Sequence, residues 1–131
     1  MHALRTYDYA VVRVVPRVER GEFVNAGIIV SCDVERILEA RIEFDEGALL
    51  ALDADIDLEL VRDTLATIPA ICAGGAAGGP IGQLSARERF HWLVSPKSTI
   101  VQTSPVHTGQ CSDVGAALDH LMNTMVRRRK D

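Results

Sequence analysis

Residues 99 to 111, TIVQTSPVHTGQC, bring a hydroxyl, an imidazole and a thiol into one short stretch. Ser104 could act as a nucleophile only if a base such as His107 reached its hydroxyl, and that base would need a carboxylate to orient it. The chain has no G-x-S-x-G elbow, the turn that exposes a nucleophilic serine in many hydrolases. The stretch is therefore either a reactive loop or a strand that ends in a turn.

His107 follows Pro105 and precedes Gly109, so we expect its imidazole to be accessible on a loop. His107 and Cys111 are close enough in sequence to share a metal ion, but two ligands do not make a site, and we predict no metal. The three cysteines are dispersed and contain no C-x-x-C pair. An odd, scattered set is typical of reduced core thiols in a cytoplasmic protein.

Arg13 stands among four valines in the first apolar segment, YAVVRVV. A guanidinium cannot be left unpaired in a core, because removing it from water costs several kcal/mol. It must therefore find an acceptor or open onto a pocket. Two interpretations follow: a buried salt bridge, for which Glu19 and Glu22 are candidate partners, or a planar clamp for an anion such as phosphate. The salt bridge is the favoured one.

Asn25 precedes Ala26 and Gly27 near the start of an otherwise apolar segment, FVNAGIIVSC (23 to 32). Its amide could satisfy backbone groups across a turn, which is the favoured interpretation, or it could point a donor and an acceptor into a cleft.

The elements that must position these side chains follow from the apolar pattern. Residues 9–15 predict a central strand covered on both faces, and residues 23–32 predict a second strand. Residues 37–44 alternate between apolar and charged side chains, which is typical of a strand with one solvated face, so the second and third strands form a hairpin. A last strand is predicted at 99–104.

Helices are predicted at residues 45–52, from Asp55 or Asp57 to Cys72, after the S-x-x-E capping box at Ser85, and from about Asp113 onward. The segment AGGAAGGPIG between two helices lacks the G-K-[ST] ending of a phosphate-binding loop and the strand-to-helix setting of a dinucleotide site. We predict that it is a flexible loop and that the chain binds no cofactor. The fold class is α+β, with a small, mainly antiparallel sheet and helices packed on one face.

The chain of 131 residues is 47% hydrophobic and 24% charged, which predicts one domain over 1–131 with residues 126–131 as a disordered basic tail. No apolar run is long enough to span a membrane. Between Glu43 and Asp63 there are eight carboxylates and one arginine, which would repel nucleic acid and attract a basic partner. The RRRK segment at the C-terminus favours a solvated helix end over a nucleic-acid contact.

Two blocks carry a resemblance to a known family. They are YDYAVVRVVPRVERGEFVNAGIIV (7 to 30) and FHWLVSPKSTIVQTSPVHTG (90 to 109), and together they resemble the signature blocks of the bacterial Domain of Unknown Function 3037 family. The pattern R-x-x-P-x-x-E-R-x-E-F-x-N-x-G is long enough to be specific. The resemblance implies a small accessory or antidote subunit of a toxin-antitoxin type, whose partner is a HipA-like serine/threonine kinase.

These observations lead to one main hypothesis and one alternative. The main hypothesis is a cytoplasmic, non-catalytic regulatory module that binds a protein partner through polar side chains gathered at one end of the sheet. The alternative is an enzyme that acts on a phosphorylated or nucleotide substrate, in which Arg13 holds the anion and His107, with Ser104 as the second catalytic candidate, moves a proton. The predicted binding residues are Arg13, Arg17, Glu22, Asn25, Gln102, Ser104, His107 and Thr108.

Overall fold

The computed structural model describes residues 3–97 and 99–127. Its regular elements are strands β1 (Arg5–Val14), β2 (Val24–Cys32), β3 (Ile37–Ile42), β4 (Val101–Thr103) and β5 (His107–Cys111), and helices α1 (Glu46–Leu52), α2 (Leu58–Ala73), α3 (Ala86–Val94) and α4 (Val114–Leu121). One turn of π-helix, Met122–Val126, continues α4. The α+β class is confirmed.

All strand pairs in the sheet are antiparallel. β1 lies in the middle, with β2 and then β3 on one side. On its other side β1 pairs with β4 near its end and with β5 near its start, so these two short strands form one interrupted edge. The prediction of a central first strand and of a hairpin between the second and third strands is therefore confirmed.

One face of the sheet is covered by α1, α2 and α3. Inward side chains such as Val12 and Ile29 pack there against Leu65 of α2 and Phe90 of α3. The caps predicted for these helices are present: Asp57 accepts a hydrogen bond from the Leu60 N–H, and the capping box is formed in full at the start of α3. Each cap satisfies a backbone donor that the first helical turn leaves free.

The opposite face is covered by α4, which corrects the expectation that the helices pack on one face only. Leu118 and Met122 are fully buried there against Ile28 and Val30 of β2. The reason is visible in β2, where every residue from Ala26 to Cys32 is buried. A strand that is apolar on both sides needs a second covering layer.

The glycine-rich segment also differs from the prediction, because it is folded. It forms two short 3-10 turns, Gly75–Gly78 and Ile81–Gln83. Arg89 of α3 donates from Nη1 to the carbonyl oxygens of Ile71 (2.9 Å) and Cys72 (2.7 Å). This guanidinium therefore caps the C-terminal end of α2 and holds the start of the segment in place.

The C-terminal end of the described chain is attached to the sheet. Val126 packs against the core beneath α4, and Arg127 forms an ion pair with Glu43 (Nε to Oε1, 2.8 Å). Positions 126 and 127 of the predicted basic tail thus belong to the fold, and residues 128–131 lie outside the described residues. No helix of the described part is long and apolar enough to cross a membrane.

Much of the acidic segment is already neutralised within the chain. Asp45 and Asp57 cap helices, and Glu43, Glu46 and Asp53 form ion pairs with arginines. The attraction of this segment for a basic partner is correspondingly smaller than its composition indicates.

Candidate functional site

The edge formed by β4 and β5 is interrupted at Ser104 by a bulge. In register, Val12 faces Thr103 while Tyr9 faces His107, so the edge has one residue more than β1 between these pairs. Ser104 is only 3% exposed, and its Oγ accepts a hydrogen bond from the Val11 N–H at 2.9 Å. Its hydroxyl thus replaces a ladder bond that the bulge removes. This structural role occupies the serine that was a candidate nucleophile.

The stretch after the bulge is a strand, which corrects the prediction that His107 lies on a loop. Its backbone pairs with β1, and its exposed imidazole lies beside the Tyr9 ring, with 5.4 Å between ring centroids. Thr108 lies on the other face, where its hydroxyl donates to Asp8 at 2.9 Å. Pro105 is accommodated because it falls in the bulge, where no ladder donor is needed.

A second bulge lies directly across β1. Val12 pairs with Gly27 and Arg13 pairs with Asn25, so Ala26 is the extra residue. A Cβ on Gly27 would lie 2.4 Å from the carbonyl oxygen of Arg41. The bulge therefore depends on a glycine at this position, and it turns Asn25 toward the α4 side of the sheet.

Arg13 is half-buried, and its side chain has no hydrogen bond or ion pair with any described residue. Its Nε is buried without a partner. The favoured salt bridge is therefore not formed. The guanidinium instead lies over the ring of Phe23, with its central carbon 4.2 Å from the ring centroid. A cation held over an aromatic ring keeps its charge available for an acceptor from outside.

Asn25 is adjacent to Arg13 across the bulge, and only one of the two polar groups of its side chain has a hydrogen-bond partner. Its Nδ2 donates to the Met125 carbonyl at 2.9 Å, which fixes the end of the π-helical turn to β2. Its Oδ1 is buried and has no hydrogen-bond partner. We call Arg13, Phe23 and Asn25 the Arg13 cluster. It contains one unused donor and one unused acceptor side by side.

The other predicted binding residues are only partly brought to this cluster. Gln102 is the cross-strand neighbour of Arg13 on β4, and its side-chain amide donates to the Thr99 carbonyl at 2.9 Å. Arg17 is exposed and lies 3.6 Å from Asp53. Glu22 forms an exposed ion pair with Arg20 at 2.5 Å, and this hydrogen bond lowers the pKa of Glu22.

His107 does not join the Arg13 cluster. Tyr9, its partner on β1, is four residues from Arg13, which corresponds to about 13 Å along an extended strand. The same spacing separates His107 from Cys111 within β5, so these two side chains cannot share a metal ion in one chain. Among the described residues no group of three or more histidine, cysteine and acidic side chains is placed to hold a metal.

Sequence reasoning missed two contributions. Phe23 was identified only as the start of a strand, because its contact with Arg13 forms only after the chain has reversed direction. The second is an ion-pair network at the other end of β1, where Arg87 of α3 reaches Asp8 at 3.1 Å and Asp33 at 3.7 Å. Asp8 and Arg87 are 79 positions apart, and no local pattern connects them.

The three thiols differ in accessibility. Cys32 and Cys72 are buried, and Cys111 is partly exposed. Burial raises the pKa of Cys72 to about 12. Burial also raises the pKa of Cys111, and the charge of the nearby Cys32 raises that pKa further. Because the thiolate is the reactive form, a buried thiol with a raised pKa reacts slowly.

We expect iodoacetamide to alkylate Cys111 well before Cys72 in the folded protein. The rate at Cys111 should keep rising with pH beyond 9.0, the ordinary value, because its pKa lies above that value. Peptide mass spectrometry after timed labelling measures both rates, and labelling in denaturant is the control. Simultaneous modification of the two cysteines in the folded state would contradict the burial of Cys72.

The fold and the cluster together describe a small α+β protein whose central sheet is covered on both faces and whose polar groups meet at a bulge. The chain belongs to the family described as Protein of unknown function (DUF3037), whose model matches residues 9–126. The match includes both bulges, the Arg13 cluster and all of α4. No curated protein and no solved structure matches the chain.

Proposed function

We propose that this protein is a non-catalytic regulatory module that binds a protein partner through the Arg13 cluster. The observation that carries the proposal is the state of Arg13, which is half-buried and has no acceptor among the described residues. A guanidinium already partly removed from water gains most from a carboxylate that can accept two parallel hydrogen bonds. The partner should therefore present an acidic side chain.

The surroundings of Arg13 support binding to a protein surface. Phe23, directly before β2, is 44% exposed, and Met125, in the π-helical turn, is 37% exposed. Arginine, aromatic residues and methionine are the side chains most enriched in protein interfaces. An exposed aromatic ring that supports an arginine gives a partner both apolar area and a fixed charge.

The same geometry gives less support to the enzyme alternative. That mechanism requires Arg13 and His107 to act on one substrate, and the two side chains are about 13 Å apart along β1. The Ser104 hydroxyl already accepts the Val11 N–H inside the sheet. An anion clamp at Arg13 remains compatible with partner binding, since a carboxylate is also an anion.

A HipA-like serine/threonine kinase is the partner that we propose. The support for this choice is the family resemblance, and the support for a protein partner in general is the Arg13 cluster. Because a charged contact assists association, the complex should weaken as salt is raised.

Co-expression with the HipA-like kinase is expected to give a stable complex, and Arg13→Ala should weaken it by at least about tenfold, or about 1.4 kcal/mol. Arg13→Lys should restore only part of the affinity, because an ammonium lacks the planar fork. Isothermal titration calorimetry measures the affinity of the kinase for the unaltered chain, for Arg13→Ala and for Arg13→Lys. Stability in urea should change little, since Arg13 forms no ion pair within the described chain.

The matched control is Arg36→Ala, which removes the same charge from an exposed turn between β2 and β3. Arg36→Ala should bind like the unaltered chain. Equal affinities for Arg13→Ala and Arg36→Ala would exclude the Arg13 cluster as the binding site. Failure to form any complex with the kinase would exclude that partner.

A further inference from the structure

The outer edge of β5 has free backbone groups, and the structure shows which ones they are. Val11 directs its N–H and C=O toward the β4 and β5 side, because it bonds Ser104 through both groups. Alternate residues of a strand point the same way, so Tyr9 and Tyr7 also face β5, and their partners His107 and Gly109 face back. Thr108 and Gln110 must then direct their N–H and C=O outward.

No strand of the described chain pairs with this outer side of β5. The strand HTGQC is short and follows a bulge, but it contains no charged residue and no proline, which are two of the features that protect an edge. The opposite edge of the sheet is different. β3 carries Glu39 and Arg41 in its middle and leads directly into the acidic segment. Of these two described edges, the β5 edge is the one suited to accept another strand.

We propose that β5 pairs with β5 of a second copy of this chain, antiparallel and with the two-fold axis at Gly109. In this register Thr108 of one copy exchanges backbone hydrogen bonds with Gln110 of the other, and the reverse pair does the same. The two strands approach most closely at non-hydrogen-bonded pairs, where Cα atoms lie about 4.5 Å apart. Gly109 occupies the central one, and the space beside its Cα is taken by the Tyr7 ring of the same copy.

The second copy is favoured as the occupant because this edge is uncharged and the arrangement keeps like charges apart. The net charge of the chain is -4, and the acidic segment follows β3, which lies at the far side of the sheet from β5. Two copies joined at β5 therefore place their acidic segments at opposite ends of one continuous sheet. A two-fold contact also closes after two chains, since each copy uses its β5 edge once.

The aromatic groups along this edge fit the same arrangement. Tyr7 packs over Gly109, where a Cβ would lie 2.8 Å from the tyrosine ring, and Tyr9 packs beside His107. The two tyrosine rings therefore cover β5 on the face of the sheet where α4 packs. In the proposed register His107 of one copy lies opposite Cys111 of the other.

This inference does not depend on the proposed function, because the Arg13 cluster lies about 13 Å further along β1. A monomer that binds the kinase would overturn the pairing alone. A dimer that binds no kinase would overturn the proposed partner alone.

A cysteine cross-link tests the register. In His107→Cys, the new thiol should form a disulfide with Cys111 of the second copy, because a Cα separation of about 4.5 Å lies within the disulfide range. The matched control is Thr108→Cys, whose thiol would face Gln110 and find no cysteine. The double variant His107→Cys with Cys111→Ser should also stay uncross-linked. Equal cross-linking in all three variants would overturn the register.

Hydrogen exchange followed by NMR tests the pairing without any substitution. The amides of His107 and Gly109 should be protected at every protein concentration, because they bond β1 within one chain. The amides of Thr108 and Gln110 should become protected only as concentration rises. Fast exchange of both at the highest concentration would overturn the proposal, and so would protection that appears only when the kinase is added.

Sedimentation equilibrium with Gln110→Pro and Gln110→Ala completes the test. The proline removes an outward N–H without affecting the bonds to β1, so the dimer dissociation constant should rise by at least about tenfold. Gln110→Ala keeps that N–H and should leave the constant within about twofold. If the proline variant does not fold, Gln110→Lys, which brings like charges to the pairing edge, replaces it. An unchanged dimer dissociation constant in Gln110→Pro, or in Gln110→Lys where it replaces the proline variant, would overturn the proposal.

Discussion

Replacing Gly27 with alanine is expected to destabilise the protein by more than about 3 kcal/mol, because the added methyl group collides with backbone. Its Cβ would lie 2.4 Å from the Arg41 carbonyl oxygen and 2.7 Å from Cδ1 of Ile42. The isoleucine could adopt another rotamer, but the carbonyl belongs to β3 and cannot move without disturbing the hairpin. Chemical denaturation monitored by circular dichroism measures the loss.

Gly115→Ala is the matched control for this substitution. Gly115 lies in the first turn of α4, and the nearest atom to its added Cβ is 3.4 Å away. Alanine is better than glycine in a helix by about 0.5 to 1 kcal/mol, so this variant should be unchanged or slightly more stable. Similar stabilities for the two variants would show that the close approach of β2 and β3 at Gly27 is wrong.

Truncating Leu118 to alanine should cost about 2 to 5 kcal/mol, because it leaves a cavity between α4 and the sheet. Leu118 is fully buried beside Met122 and Leu121. The effect should be as large as that of a core substitution on the α2 face. Urea denaturation gives the difference in the free energy of unfolding.

The corresponding control is Leu60→Ala in α2, since Leu60 is also a helical leucine but is 52% exposed. Its effect should stay within about 0.5 kcal/mol, the usual range for a surface position. If Leu118→Ala were as mild as this control, α4 could not be a covering layer of the sheet.

The apolar periodicity was sufficient to predict β1 to β4 and the four helices. Alternation in ILEARI and the three- and four-residue spacing in α2 are local signals, and the caps at Asp57 and Ser85 depend on residues only three positions apart. Local signals of this kind can be recognised without knowing the fold. They predicted the sheet, its central strand and the helix starts.

The path of β5 could not be predicted in the same way. Proline and glycine in SPVHTG are the residues that usually indicate a loop. Here the bulge absorbs Pro105, the Ser104 hydroxyl supplies the missing acceptor, and Tyr7 covers Gly109. The last two of these compensations depend on β1, whose Val11 lies 93 positions before Ser104.

The candidate site was predicted only in part, because its residues also depend on partners that are far away in the chain. Arg13 and Asn25 were both identified as unusual polar residues in apolar strands, and the structure places them side by side. Their partners could not be read from spacing, because Arg13 stacks on Phe23 after the chain has reversed, and Asn25 binds Met125 at the other end of the sequence. Chain distance hides such contacts.

The packing of the glycine-rich segment has a consequence for protein engineering. The high glycine content of residues 74–82 indicates a suitable place to insert a reporter domain, since such insertions succeed at exposed, loosely held loops. Yet Arg89 binds the two carbonyls before this segment, and Gly82 packs so closely on the Gly75 carbonyl that a Cβ would lie 2.1 Å from it. The exposed turn at residues 33–36 is the better point of entry, because it joins two paired strands and its contact with α3 is the long ion pair between Asp33 and Arg87, at 3.7 Å.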